Sequence, residues 1–335
     1  MPENHEPDQE AAPQVDASLY AESVLKLAAD IVLLKRYRLQ RLLGEGGMGA
    51  VWLAHDLELN EDVALKFLPE AVALDKAAIE ELKLEVRRSR RVTHPNIVRI
   101  HDYLQDHDWG CISMEYVDGE TLSNLRVLLP DNVFSAETLA PLIRQLCAAL
   151  DYAHTQGKMV HHDLKPSNCM VTGSRELKLY DFGIARSLSD SVTRLTKQEG
   201  TAGTLPYMSP QQLMGEDPSV LDDVYSLGAT IYELLSGKPP FYTGNIAMQV
   251  LEKTPTSMME RRQAFGIQAE PPVASGVEPI PKEWEETVAA CLEKEPEKRP
   301  QSAREVAGRL GLEVGTRNAE CGRQRMIRQP RFLHL

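Results

Sequence analysis

The stretch from His161 to Gly183 constrains the fold more than any other part of this chain. It opens with His161-His162-Asp163-Leu164-Lys165-Pro166-Ser167-Asn168 and closes with Asp181-Phe182-Gly183. Between these runs, Cys169 to Val171 and Leu177 to Tyr180 have the composition of two short strands. The spacing predicts one hairpin with carboxylates and an amide projecting from its ends. Asp and Asn are common in turns, but a turn does not need so many polar groups in so short a hairpin.

Phosphoryl transfer needs groups placed in this way. One carboxylate must orient the attacking hydroxyl, and oxygen ligands must hold a divalent cation against phosphates. Asp163 suits the first task, and Asn168 and Asp181 suit the second. Lys165 can neutralise charge on the transferred group.

Two upstream patterns fit the same chemistry. Gly44-Glu45-Gly46-Gly47-Met48-Gly49-Ala50-Val51 places four glycines in six residues. A G-x-G-x-x-G run alone is weak, because dinucleotide-binding proteins share it. There the glycines open a helix, whereas here Ala50-Val51-Trp52-Leu53-Ala54-His55 follows with strand character. The expectation is a strand-turn-strand whose backbone N–H groups can approach phosphate oxygens closely. In Val63-Ala64-Leu65-Lys66-Phe67 the residue pattern alternates with period 2. If Val63, Leu65 and Phe67 face away from a cleft, Lys66 points into it beside Ala64. The lysine would need a carboxylate to hold it, and Glu80, Glu81 and Glu85 in the charged helix-forming run Ala77 to Val92 are the candidates.

The surrounding sequence divides in two. Up to about Val117 it reads as a small sheet with one helix, Ile97 to Ile100 and Cys111 to Tyr116 supplying further strands. Beyond Gly119 helices dominate. Glu137 to Gln156 carries one apolar stripe, with Ser135 to cap it and Gly157 to end it. Leu221 to Ser236, Trp284 to Glu293 and Ser302 to Leu310 are expected to be helices too. Residues 1–16 form an acidic segment with the composition of a disordered tail. Residues 17–36 read as a helical extension, because Leu19, Val24, Leu27, Ala28 and Ile31 recur near helical period. That helix either packs on the domain behind it or binds a regulatory partner. Residues 313–335 form an Arg-rich tail, with five Arg and one Glu from Val314 onward.

Composition excludes several classes. Lys plus Arg number 37 against 49 Asp plus Glu, a net charge of -12, which argues against a nucleic-acid partner. The five cysteines form no C-x-x-C pair and join no His cluster, so free thiols in a reducing cytosol are expected. No run of about 18 apolar residues occurs, so no membrane span is expected.

Taken in order, these motifs resemble the eukaryotic-like, Hanks-type Ser/Thr protein kinases of bacteria. Gly44 to Val51 matches G-x-G-x-x-G-x-V and Val63 to Lys66 matches V-A-I-K. His161 to Asn168 matches H-R-D-L-K-P-x-N at all but one position, and Asp181-Phe182-Gly183 is intact. The match runs from Tyr37 to Leu312. The resemblance implies a two-lobed α+β fold, with a β-rich N-lobe at 37–117 and a helical C-lobe at 118–312. It implies transfer of phosphate from ATP, with Mg²⁺ or Mn²⁺, to Ser or Thr of protein substrates, the chain itself being one candidate.

The resemblance also assigns roles. It selects Glu85 as the acid that pairs with Lys66. It places adenine between Leu43, Val51, Ala64 and Met170, with Met114 as gatekeeper and Glu115 and Val117 as hinge residues. Asp223 takes the place of the helical aspartate that braces the catalytic loop. Lys165 and the Gly203-Thr204 pair ahead of Tyr207 imply Ser/Thr rather than Tyr acceptors.

Two departures stand out. His162 replaces an Arg that clamps an activation-loop phosphate bidentately, which puts activation through Ser189, Ser191, Thr193, Thr196 or Thr201 in doubt. Ser209-Pro210-Gln211 stands where the family has A-P-E, so Gln211 meets Arg299 by hydrogen bond rather than by ion pair.

The competing readings are a pseudokinase scaffold and a small-molecule phosphotransferase. The first predicts loss of Lys66, Asp163, Asn168 or Asp181, all of which are present. The second usually lacks the segment from Thr193 to Gln211.

Overall fold

The computed structural model describes residues 27–46, 49–106, 109–182, 203–267 and 279–314. The acidic N-terminal segment, the serines and threonines at 189–201, and the Arg-rich residues beyond Val314 lie outside them. So do Gly47, Met48 and Gly183.

The first lobe is a six-stranded antiparallel sheet in the order β1-β2-β3-β4-β6-β5. Its strands are β1 (Val32–Leu33), β2 (Tyr37–Gly46), β3 (Gly49–Asp56), β4 (Glu61–Phe67), β5 (Ile100–Asp106) and β6 (Trp109–Glu115). A short helix α1 (Glu70–Leu74) leads into α2 (Lys76–Ser89), which Asp75 caps by accepting from Ala78 N–H at 2.8 Å. The period-2 pattern of β4 is realised. Val63, Leu65 and Phe67 join Leu39, Trp52 and Cys111 on one face. Ala64 faces the other way, among Leu82, Val86 and Ile112 beneath α2.

Three expectations are corrected here. Residues 27–36, the described end of the anticipated N-terminal helix, contain strand β1 instead. Leu34 and Lys35 both adopt positive φ, and Arg36 N–H closes the turn on Leu33 O at 2.9 Å. Leu33 is then buried in the outer face of the sheet, with Leu27 and Ile31 packed against that cluster. Secondly, the strand expected to end at Ile100 begins there, while Ile97 makes only an isolated bridge to Leu179. Thirdly, it is Lys158, one residue past Gly157, that takes the left-handed conformation ending the helix over 136–157.

The second lobe contains α3 (Leu122–Val127), α4 (Ala136–Tyr152), α5 (Pro210–Met214), α6 (Val220–Ser236), α7 (Ile246–Glu252), α8 (Met258–Ala264), α9 (Lys282–Cys291) and α10 (Ala303–Arg309). Ser135 caps α4 through Thr138 N–H. Ser219 and Asp222 form a capping box on α6, and Gly237 ends that helix at φ 89°. Helix α6 runs through the core, with every residue from Asp222 to Ser236 buried. At Gly228 an added Cβ would lie 2.5 Å from Cys291 Cβ, so only glycine lets α6 and α9 approach this closely. Against the lobe's upper edge lies a small antiparallel sheet of β7 (Gly119–Thr121), β8 (Cys169–Thr172) and β9 (Leu177–Leu179). This places the predicted hairpin where the two lobes meet. Among the described residues no helix is long and apolar enough to cross a membrane.

Candidate active site

A cleft of about 460 Å³ separates the lobes, within the range of small-molecule sites. Leu43, Gly44 and Val51 line it from the glycine hairpin, Ala64 and Lys66 from β4, and Met170 from β8. Met114, Glu115 and Val117 border it where the chain passes between lobes. The hinge is anchored on both sides. Lys178 Nζ lies 2.7 Å from Glu115 Oε1, and Arg41 donates to Tyr116 Oη at 3.0 Å across the cleft mouth.

The described parts of the glycine run are two paired strands, with Gly46 opposite Gly49 and Gly44 opposite Val51. Gly49 sits at φ 105°, and a Cβ there would lie 1.9 Å from Phe67 O, so the position admits glycine alone. Glu45 and Gly46 continue β2 toward the turn without lining the cleft. Ala50 differs from expectation in one respect: its methyl is fully buried in the outer face with Leu39 and Trp52, so its side chain points away from the nucleotide space.

The predicted polar groups form two sets: Lys66 and Asp181 line the cleft, and Asp163, Lys165 and Asn168 cluster on the loop behind Tyr180. Lys165 Nζ lies 2.9 Å from Asp163 Oδ2 and donates to Thr204 Oγ1 at 2.9 Å. Asn168 Nδ2 donates to Asp163 O at 2.7 Å and to Asp163 Oδ2 at 3.0 Å. The amide nitrogen is thus committed to Asp163, which leaves Asn168 Oδ1 as the atom suited to a cation. Lys66 Nζ lies 2.7 Å from both carboxylate oxygens of Asp181.

The pairing of Lys66 with Glu85 is not formed. Lys66 is bound to Asp181, and Glu85 Oε2 accepts from Arg88 Nη1 at 3.3 Å, one turn along α2. Two carboxylates compete for one buried ammonium, and the one on the hairpin holds it here.

Beneath the loop, Asp223 at the start of α6 accepts His161 N–H at 2.7 Å, His162 N–H at 3.0 Å and His154 Nε2 at 2.7 Å. Burial pushes the Asp223 carboxyl upward, but the His154 contact and the His161 N–H outweigh it and hold it below the usual aspartate range. His161 itself is fully buried. Its Nε2 faces the Tyr180 carbonyl at 2.8 Å and must carry the proton, while Nδ1 accepts Asp163 N–H at 3.2 Å. Its ring packs edge-on against Phe182 at 4.6 Å. His162, immediately before Asp163, and Asp181 both sit at positive φ, so backbone strain falls on the loop carrying Asp163 and on the residue carrying the second carboxylate.

Sequence reasoning missed His154, the bracing role of His161, and Tyr180. His154 carried no signal, because its partner lies 69 positions away. Tyr180 looked like an ordinary strand residue. Gln211 behaves as expected. Its Oε1 accepts from the buried Arg299 at 2.6 Å, and its Nε2 also donates to Lys294 O at 3.0 Å.

Comparison with known proteins identifies the family. The protein kinase domain family model matches residues 37–308. Serine/threonine-protein kinase PknB of Mycobacterium leprae is 33% identical over 282 residues, covering 82% of this chain and 42% of that protein. A probable PknB of Bifidobacterium longum is 34% identical over 279 residues, covering 81% of this chain and 38% of that protein. The chain therefore spans about two-fifths of the length of these relatives. The crystal structure of the Mycobacterium tuberculosis PknI kinase domain superimposes with a TM-score of 0.64 at 26% identity, covering 85% of this chain and 98% of that one. The chain belongs to the protein kinase family, and within it to the Hanks-type kinases of bacteria.

Proposed function

We propose that the chain transfers the γ-phosphoryl group of Mg-ATP to serine and threonine hydroxyls of protein substrates, with the chain itself as one candidate acceptor. The observation that carries this reading is the convergence at Asp163. Its carboxylate is held by Lys165 and Asn168, and Asn168 O accepts the N–H of Tyr180, which borders a cleft lined by Leu43, Val51, Ala64, Met114 and Met170 together with Lys66 and Asp181.

In this reading Asp163 orients the acceptor hydroxyl and takes up its proton. Lys165, which also touches Thr204, neutralises charge on the transferred group. Leu43, Val51, Ala64 and Met170 pack on the adenine ring, and backbone groups of Glu115 and Val117 satisfy its edge. The glycine run from Gly44 to Gly49 covers the phosphates.

A divalent cation fits the donor set. Asn168 Oδ1 and the Asp181 carboxylate are two hard oxygen ligands, and Mg²⁺ keeps waters and phosphate oxygens for the rest. It would supply charge neutralisation at the phosphates. Lys66 must then exchange Asp181 for phosphate oxygens, and Glu85 must leave Arg88 to hold Lys66 in turn.

The test is transfer of label from ATP to a generic basic protein and to the chain itself, with Mg²⁺ or Mn²⁺, followed by phosphoamino-acid analysis. Label on serine or threonine is expected. Label on tyrosine alone, or on a small-molecule alcohol in preference to protein, contradicts the reading.

A further inference from the structure

Tyr180 is the residue immediately before Asp181, and each of its polar groups is engaged with the loop that carries Asn168. Its backbone N–H donates to Asn168 O at 3.1 Å. Its carbonyl accepts from His161 Nε2 at 2.8 Å. Its phenol hydroxyl donates to Ser167 O. The ring borders the nucleotide cleft together with Met170 and Met114.

The hydroxyl contact differs from the other two, because only a tyrosine can make it. The peptide plane that carries Ser167 O also carries the Asn168 N–H, which donates to Lys165 O at 2.9 Å. That plane is therefore clamped from both sides, by Tyr180 on its oxygen and by Lys165 on its nitrogen. With the Tyr180 N–H on Asn168 O, both peptide planes flanking Asn168 are tied down. One residue along, the chain reaches Asp181, which sits at φ 66° and has no regular strand pairing to hold it.

We propose that Tyr180 is a positioning residue that sets the spacing between Asn168 and Asp181, and with it the affinity of the site for the divalent cation bound with the nucleotide phosphates. This rests on the phosphotransferase reading of the same cleft. Outer groups that orient metal ligands commonly matter as much as this. A Phe at 180 would keep the ring, the cleft wall and both backbone bonds, and would free only the Ser167 carbonyl.

The experiment compares the full chain and Tyr180→Phe by calorimetric titration with ADP, first with excess chelator and then over a series of Mg²⁺ concentrations. Mn²⁺ binding in the presence of ADP, read by paramagnetic resonance, gives a second measure independent of turnover. The expected result is unchanged ADP affinity without metal, and a rise of about tenfold in the Mg²⁺ concentration needed for half of the metal-dependent gain. A second variant, Tyr180→Leu, should weaken ADP binding even without metal, because it also removes the ring from the cleft wall. Equal metal dependence in wild type and Tyr180→Phe overturns the proposal, and if the wild type still transfers phosphate the functional reading stands. Loss of metal-free and metal-dependent ADP binding in the same proportion also overturns it, since that marks a merely structural role. A wild-type chain that gains nothing from Mg²⁺ overturns both.

Discussion

At the scale of single residues, Asp223 does the most with the least exposure. It gathers two loop N–H groups and one imidazole on a single buried carboxylate. Removing it strands all three donors, so Asp223→Ala should lower stability by about 3 kcal/mol, read by urea unfolding. The pH dependence follows from the depressed carboxyl. The unfolded chain takes up the proton first as pH falls, so the stabilisation is complete above the ordinary value of 3.8 and is lost as pH drops through the lower folded value. The stability gap between wild type and Asp223→Asn should therefore be constant near neutral pH and shrink below about pH 4. A gap that widens on acidification would contradict the assignment. Gln211 gives a subtler case. Its amide both accepts from Arg299 and donates to Lys294 O, which a carboxylate cannot do. Gln211→Glu should thus stay within about 1 kcal/mol of wild type, whereas Gln211→Ala, which removes the side-chain acceptor from a buried guanidinium, should cost about 2 kcal/mol by the same measurement.

Among the secondary-structure elements, β4 and α2 decide how Lys66 works. The alternation in Val63 to Phe67 was enough to place Lys66 in the cleft, because a strand's period leaves only two faces. The glycine hairpin and the loop from His161 to Asn168 were legible for the same reason, since local geometry dictates which residue types they accept. The partner of Lys66 was not legible. Whether Glu85 or Asp181 holds it depends on how α2 sits over the sheet, a tertiary balance between two similar ion pairs. The segment before Tyr37 failed for a related reason. Leu27 and Ile31 read equally well as one face of a helix, but pairing of Val32–Leu33 along the edge of β2 buries Leu33 and packs both residues against the sheet. Lys66→Met should reduce ATP-dependent turnover by at least about a hundredfold, read as initial rate at saturating ATP. Near-normal turnover would mean that the phosphates are held elsewhere.

On the scale of the whole molecule, the cleft depends on both lobes being held apart at a fixed distance. The hinge anchored through Lys178 to Glu115 and the ion pair of Lys66 with Asp181 join the lobes on either side of the cleft. A ligand that touches both lobes should raise the unfolding temperature with its concentration, and Mg-ADP at about a hundred times its Kd should add about 2.7 kcal/mol. A thermal shift that is unaffected by nucleotide would speak against the cleft as its site. The central claim is that Asp163 acts on an acceptor hydroxyl beside this cleft. Its most direct test is phosphate transfer from labelled ATP by the wild type and by Asp163→Asn, side by side, with nucleotide binding measured in both. The account predicts label on serine or threonine with the wild type, and loss of that label in the variant while Mg-ATP still binds. Equal labelling by the two proteins would contradict it.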